Sequence, residues 1–90
     1  MSIKKFLYRS PSVNLPTFLF RKERARFRDL NSAVYSRGGL SYALKYLLEE
    51  KLITREVDVN EVPVKVYYKI TKKGRKVARY LIEMRGTLSK

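Results

Sequence analysis

Few side chains in this sequence could carry out chemistry. It contains no histidine and no cysteine, which excludes a histidine-activated nucleophile, a zinc site built on those residues and a reactive thiol. Glu56, Asp58 and Glu61 alternate along a predicted strand and could hold Mg²⁺ for a nuclease. Such sites draw carboxylates from several elements, whereas these three lie beside one turn. We interpret them as charge balance on an exposed strand and expect no enzyme activity, no metal and no cofactor.

Positive charge is the strongest chemical signal in the chain. The 90 residues include 21 Lys and Arg against 8 Asp and Glu, a formal net charge of +13. Self-repulsion at this level destabilises a compact protein, so we expect an anionic partner; the alternative is a basic surface that serves only solubility. No apolar run is long enough to span a membrane, and Met1–Pro11 lacks the apolar block of a signal peptide. We expect a cytoplasmic, nucleoid-associated protein without membrane contact or an evident small-molecule ligand.

Apolar spacing and capping residues predict the elements that carry this charge. A short first helix is expected over residues 15–24, with Pro16 at its first helical position. A second short helix follows over Asp29–Tyr35. Ser36 is a good N-cap for a third helix over about 37–52.

The third helix has the clearest periodicity. One apolar stripe consists of Leu40, Ala43, Leu44, Leu47 and Leu48. The opposite face carries Arg37, Ser41, Tyr42, Lys45 and Tyr46. Such a mixture of cationic, aromatic and hydrogen-bonding groups is typical of a recognition helix in the major groove, the alternative being a solvated helix face.

A β-hairpin follows, because apolar and polar residues alternate over residues 53–59 and 64–70 on either side of a turn. Lys65 and Lys69 could reach phosphate or the minor groove, although lysines also protect edge strands from pairing. Arg26 and Arg28, just before the second helix, are candidates for a phosphate clamp.

Thr71 is expected to cap a closing helix that runs to about Arg85 and is stopped by Gly86. Its apolar residues are spread too widely for one narrow stripe, which predicts contacts with both the core and a second subunit. The predicted dimer residues are Val77, Tyr80, Leu81 and Met84, together with Phe6 and Leu7 of an N-terminal arm or short helix over residues 1–14. We interpret Leu40, Leu44, Leu47, Val66, Ile70, Val77 and Leu81 as core.

This order of elements predicts an α+β fold: a winged helix-turn-helix with a three-helix core, a two-stranded wing and a C-terminal helix. The DNA-binding domain would span residues 15–86, followed by a tail over 87–90. The chain resembles winged-helix transcriptional regulators of the HxlR type and, more distantly, of the PadR and MarR types. Arg26–Leu30 is similar to that family's Arg-Phe-x-Glu-Leu segment. Leu40–Leu44 and Leu47–Arg55 are similar to its recognition helix and the turn into its wing, and Glu61–Arg75 is similar to its Glu-Val-Pro turn and closing-helix entry.

The family's N-terminal Cys and its Gly-Lys-Trp entry are missing, because the chain has neither Cys nor Trp. A thiol-sensing role is therefore not carried over, whereas the resemblance does imply a homodimer. The favoured function is sequence-specific double-stranded DNA binding by a homodimeric transcriptional regulator. The alternatives are binding to structured RNA or the ribosome, and binding to other proteins alone.

Overall fold

A computed structural model describes residues 3–34 and 37–88. In chain order the elements are α1 (Ile3–Arg9), α2 (Pro11–Lys22), β1 (Arg24–Arg26), α3 (Phe27–Ser32), α4 (Arg37–Glu49), β2 (Ile53–Asp58), β3 (Lys65–Ile70) and α5 (Lys72–Leu88). The strands form one antiparallel sheet in the order β1–β3–β2. This architecture confirms the winged helix. None of the described helices is long and apolar enough to cross a membrane.

The N-terminal segment adopts the short helix that was one of its two predicted forms, whereas the next helix begins earlier than predicted. Residues 3–9 form a helix that packs on α2 and α5 of the same chain. α2 begins at Pro11 rather than at residue 15, and Pro16 lies buried inside the helix. Proline is favoured at a helix start because its missing N–H would be unpaired there anyway. The expectation for Pro16 was wrong because Pro11, preceded by Ser10 as N-cap, occupies that position.

A third strand, β1, extends the predicted two-stranded sheet. Its Ala25 is buried and pairs with Tyr68, while Arg24 pairs with Lys69. Three residues are too few to show an alternating pattern in a sequence. Helix α3 then begins at Phe27, earlier than predicted, and the carboxylate of Asp29 accepts the Arg26 N–H at 3.1 Å near its start.

The core lies between the helices and one face of the sheet. Its buried members are Leu15, Leu19, Ala25, Leu30, Leu40, Ala43, Leu44, Leu47, Leu52, Ile53, Ile70 and Ala78. The predicted core residues of α4 and Ile70 belong to it, and Val77 packs against it from a half-buried position. Val66 and Leu81 are only half-buried and stay outside this cluster, a correction to the sequence interpretation.

Thr71 joins the start of α5 to the end of α4. Its hydroxyl oxygen accepts the Gly74 N–H at 3.0 Å, as the side chain of an N-cap does. The same hydroxyl donates to the Lys51 carbonyl at 2.8 Å. The predicted cap is therefore present. The Ser36 cap and Tyr35 lie outside the described residues.

At its other end, α5 continues through Gly86 to Leu88, so the predicted stop at Gly86 was wrong. A single glycine weakens a helix by about 1 kcal/mol without ending it.

Candidate nucleic-acid interface

Helix α4 has one buried and one exposed face, divided as its periodicity predicts. Leu40, Ala43, Leu44 and Leu47 are buried. Ser41 and Lys45 are exposed, Tyr42 is 78% exposed and Tyr46 is 44% exposed. We call Ser41, Tyr42, Lys45 and Tyr46 the α4 face. Arg37 begins the helix, but its side chain lies outside the described part of the structure.

The C-terminal end of α4 is held by backbone geometry. The Lys51 N–H donates to the Leu48 carbonyl at 3.1 Å, and the Leu52 N–H donates to the Leu47 carbonyl at 2.9 Å. This pair of bonds is a Schellman motif, which needs a left-handed residue; Lys51 fills that position with a φ of 61°. The Lys73 ammonium also donates to the Glu50 carbonyl at 3.0 Å. These bonds hold the helix against the start of α5.

The two predicted wing lysines have different surroundings. The Lys65 ammonium lies 3.8 Å from the Glu61 carboxylate, and Lys65 pairs in register with Asp58. Lys69 is exposed, stands between Thr54 on β2 and Arg24 on β1, and has no ion-pair partner within the described residues. Partly exposed ion pairs contribute about 1 kcal/mol or less. Lys65 is thus partly neutralised locally, whereas Lys69 presents its full charge.

Strand β1 adds a cation that the sequence interpretation missed. The Arg24 guanidinium carbon lies 4.3 Å from the centre of the Tyr67 ring, a cation–π contact. Directly paired residues share a sheet face. Arg24 opposite Lys69 and Arg26 opposite Tyr67 therefore belong to one face. We call Arg24, Arg26 and Lys69 the strand cluster. Arg28 is exposed on α3 rather than on this sheet face.

Two of the wing carboxylates, Asp58 and Glu61, have local partners. Glu61 contacts Lys65 and also accepts the Tyr67 hydroxyl at 3.4 Å, while Asp58 accepts the Asn60 N–H at 3.0 Å. Within residues 3–34 and 37–88, no group of three or more carboxylates could hold a metal ion. The contact between Glu61 and Lys65 is a local charge balance within the wing.

The predicted dimer residues divide into three groups. Tyr80 is 59% exposed and Met84 is 40% exposed; together with Ile3 they line a groove of about 430 Å³ between α1 and α5. Phe6 is exposed elsewhere on α1, and Val77 and Leu81 are half-buried. Leu7 has no accessible surface, so it cannot touch a partner. Leu7 is the buried residue of α1, and α1 packs on α2 and α5, so Leu7 anchors α1 to its own chain.

Comparison with known proteins places this fold among transcriptional regulators. The chain is similar to diamide-treated YodB from B. subtilis, with 28% identity, a TM-score of 0.67, and coverage of 82% of this chain and 74% of that one. It is also similar to a MarR-family protein from Porphyromonas gingivalis W83, with 30% identity, a TM-score of 0.64, and coverage of 78% and 70%. A transcriptional regulator homologue from Pyrococcus horikoshii OT3 shares the fold at 15% identity and a TM-score of 0.70, covering 87% and 79%.

No curated protein matches the sequence closely enough to count as a relative. The HxlR-like helix-turn-helix family matches residues 15–89, which include the α4 face, the wing and all of α5. Over that span the order of helices and strands is that of a winged helix. The chain therefore belongs to the HxlR-like helix-turn-helix family, a family of DNA-binding transcriptional regulators.

Proposed function

We propose that this protein is a homodimeric transcriptional regulator that binds a specific double-stranded DNA sequence in the cytoplasm, at the nucleoid. The observation that carries the proposal is the α4 face: four exposed polar, aromatic and cationic side chains on a helix whose other face is buried. An α-helix fits the major groove of B-DNA, where each base pair presents a distinct pattern of donors and acceptors. The DNA-binding domain in this proposal spans residues 15–86.

The side chains of the α4 face suit base readout. Lys45 can donate to the O6 and N7 acceptors of guanine, and the Ser41 hydroxyl can both donate and accept. Tyr42 and Tyr46 offer ring edges to thymine methyl groups and hydroxyls to phosphates. Arg37, at the start of the helix, completes the proposed readout set, with residues 37–52 lying in the groove.

The strand cluster and the wing are proposed to contact the DNA backbone. Lys69 and Arg24 present positive charge from neighbouring strands on one sheet face, and Arg26 lies next to them. Lys65 and Arg28 extend this set, with the wing over residues 53–70 lying on the adjacent backbone or minor groove. Contacts of this kind set register and orientation without reading sequence, and they make affinity depend on salt.

The second subunit is proposed to cover the groove that Tyr80 and Met84 line. A groove of this size with an apolar rim leaves large side chains in water, and burying them stabilises an assembly by about 25 cal/mol per Å² of apolar area. Phe6, Val77 and Leu81 are proposed to add to the interface. Two recognition helices in a symmetric dimer would contact half-sites about 34–36 Å apart, one turn of DNA.

The test is selection of bound duplexes from a random pool, followed by affinity measurements with Lys45→Ala. Loss of a base contact costs about 1–3 kcal/mol on the selected site, so we expect binding to weaken roughly 10- to 100-fold there and only slightly on unrelated DNA. Lys76→Ala, which removes an exposed charge from α5, is the matched control and should affect both duplexes equally.

Equal losses on selected and unrelated DNA for Lys45→Ala would contradict base readout. Tighter binding to structured RNA than to duplex DNA at the same salt concentration would overturn the proposal. An enriched sequence without two-fold symmetry would contradict the dimeric arrangement of half-sites. It would not contradict the binding of a specific duplex sequence.

A further inference from the structure

The tip of the wing, residues 59–64 between β2 and β3, differs in chemistry from the rest of this cationic chain. Val59, Val62 and Val64 are exposed there, and Val62 is 96% exposed. The tip contains no Lys or Arg, and its one charged residue is Glu61. Phosphate contacts of the wing therefore belong to the cations on its strands. Grouped apolar side chains in water mark a contact with another protein surface.

Glu61 gives the wing tip a negative charge in a defined position. Its carboxylate lies 3.8 Å from the Lys65 ammonium and accepts the Tyr67 hydroxyl at 3.4 Å. These contacts orient the Glu61 side chain, which is still 38% exposed. A carboxylate offers about four lone-pair sites, so Glu61 can accept hydrogen bonds from a further cation. The tip thus presents an apolar side chain, Val62, with a carboxylate next to it.

A pocket of complementary chemistry lies between the end of α2 and the second half of α5. It has a volume of about 170 Å³ and is lined by Thr17, Arg21, Ile82 and Arg85. Ile82 provides exposed apolar surface, and the exposed Arg21 provides a cation. Sites for small organic ligands usually measure about 300–1,000 Å³, so this pocket suits a single aliphatic side chain. We call it the α2–α5 pocket.

The positive charge at the α2–α5 pocket has no carboxylate to balance it. Neither Arg21 nor Arg85 belongs to an ion pair within the described part of the chain. Burial lowers the pKa of Arg85, the Tyr8 hydroxyl opposes this effect, and the positive charge of Arg21 adds to it. The two arginines therefore repel each other. A carboxylate brought by another molecule would relieve that repulsion.

We propose that the wing tip of one molecule docks into the α2–α5 pocket of a second copy on a neighbouring DNA site, with Val62 against Ile82 and the Glu61 carboxylate on Arg21. This inference rests on the proposed DNA binding. A second copy is the occupant because the chain carries both halves of the contact, an acidic apolar tip and a cationic apolar pocket. Since the two halves are different surfaces, the contact is head-to-tail and can repeat from one dimer to the next along DNA.

This contact is expected to form on DNA and not between free dimers. One valine and one carboxylate bury too little surface to offset the translational and rotational freedom that two free molecules lose on association. Two dimers on neighbouring sites are already close together, so the same contact forms at a high effective concentration. The consequence is cooperative binding, in which the first dimer raises the affinity for the second.

The test compares duplexes that carry one or two copies of the selected site, measured by native gel electrophoresis. The cooperativity factor is the affinity for the second site divided by the affinity for the first, and it is obtained within each variant. Changes in single-site affinity therefore cancel. We expect a factor of about ten at the best spacing between the sites. Adding about 5 base pairs, half a turn of DNA, should reduce the factor to about one.

A charge exchange across the contact is the decisive variant set. Arg21→Glu and Glu61→Arg should each reduce the cooperativity factor to about one, because each brings like charges together. The combined variant restores opposite charges and should recover most of the factor. Lys22→Glu makes the same charge change at the next, also exposed, position of α2 and should keep the factor. Val62→Ser removes the apolar contact and should reduce the factor severalfold, with circular dichroism as the check on folding.

Independent binding of the second dimer on a duplex whose single sites are bound would overturn this contact and leave the proposed function intact. Absence of any binding to the selected duplex would overturn both. Cooperativity that survives Arg21→Glu, or that the combined variant fails to restore, would show coupling by another route and would also overturn the contact.

Discussion

Helices α4 and α5 are the two long amphipathic helices after residue 34, and they differ in how much of their apolar surface is buried within the chain. α4 buries its leucine stripe within the chain and presents polar groups to solvent. α5 buries only Gly74 and Ala78 and leaves Tyr80, Ile82 and Met84 exposed along its second half. The polar surface of α4 suits a polar ligand such as DNA, whereas the apolar surface of α5 suits another protein surface. The difference between the two surfaces supports the proposal that the two helices have different partners.

The largest effect is expected where α5 approaches the end of α4. A Cβ at Gly74 would overlap the Leu52 carbonyl oxygen and lie 2.8 Å from Ile70 Cγ1. Backbone atoms cannot move aside as a flexible side chain can, so Gly74→Ala should destabilise the fold by about 3 kcal/mol or more. Urea unfolding measures the change. A stability equal to that of the unmodified protein would show that the α4–α5 junction is not tightly packed.

The second prediction concerns the exposed half of α5. Met84→Arg introduces a charge into the apolar groove and should raise the dimer dissociation constant at least 30-fold, or about 2 kcal/mol. Sedimentation equilibrium measures the change, with circular dichroism as the check on folding. Val62→Arg adds the same charge at the almost fully exposed wing tip and should leave the dimer unchanged. Equal dissociation constants for the two variants would remove the groove from the dimer interface.

A smaller effect should distinguish cations on the proposed DNA surface from cations on α5. Lys69→Ala removes a phosphate contact from the strand cluster and should reduce the slope of log affinity against log salt by about 1. Lys76→Ala removes an equal charge from α5 and should leave that slope nearly unchanged. Binding to unrelated duplex DNA at several salt concentrations measures both slopes. Identical slopes would mean that Lys69 contributes only to the general field of the protein.

The smallest effect is expected at Gly86, where a Cβ would meet no atom within 4 Å. Gly86 lies inside α5, so Gly86→Ala should stabilise the protein by about 0.5–1 kcal/mol through its higher helix propensity. Thermal unfolding measures the gain. A loss of stability would show that α5 ends at Gly86, as its sequence alone predicts. The stability changes have opposite signs, a loss for Gly74→Ala and a gain for Gly86→Ala. This difference distinguishes the packed half of α5 from its open half.

Periodicity predicted the parts of the site that lie on long elements. The stripe from Leu40 to Leu47 was enough to separate the two faces of α4, because a helix repeats its contacts every three to four residues. The alternation in β3 likewise separated Lys65 and Lys69 from Ile70. Arg24 was missed because β1 is too short to show a pattern, and it pairs with a strand more than forty residues further along the chain.

The predicted dimer residues show the same limit of prediction from local sequence patterns. Exposed Tyr80 and buried Leu7 are both apolar residues in terminal helices, and a sequence assigns them equally to a core or to an interface. Only the packing of α1 on α2 and α5 distinguishes them. Direct DNA contacts of the α4 face stay a prediction until the proposed affinity measurements are made.

By itself the sequence determined the basic charge, the absence of histidine and cysteine chemistry, the order of the main elements and the polar face of α4. Those properties depend on composition and on local repeats, which neighbouring residues are sufficient to specify. Tertiary structure alone decided which proline begins α2, that β1 joins the sheet, that Leu7 is internal, and that Arg21 and Ile82 line one pocket. Each of these depends on residues far apart in the chain, whose contacts arise only when the helices pack.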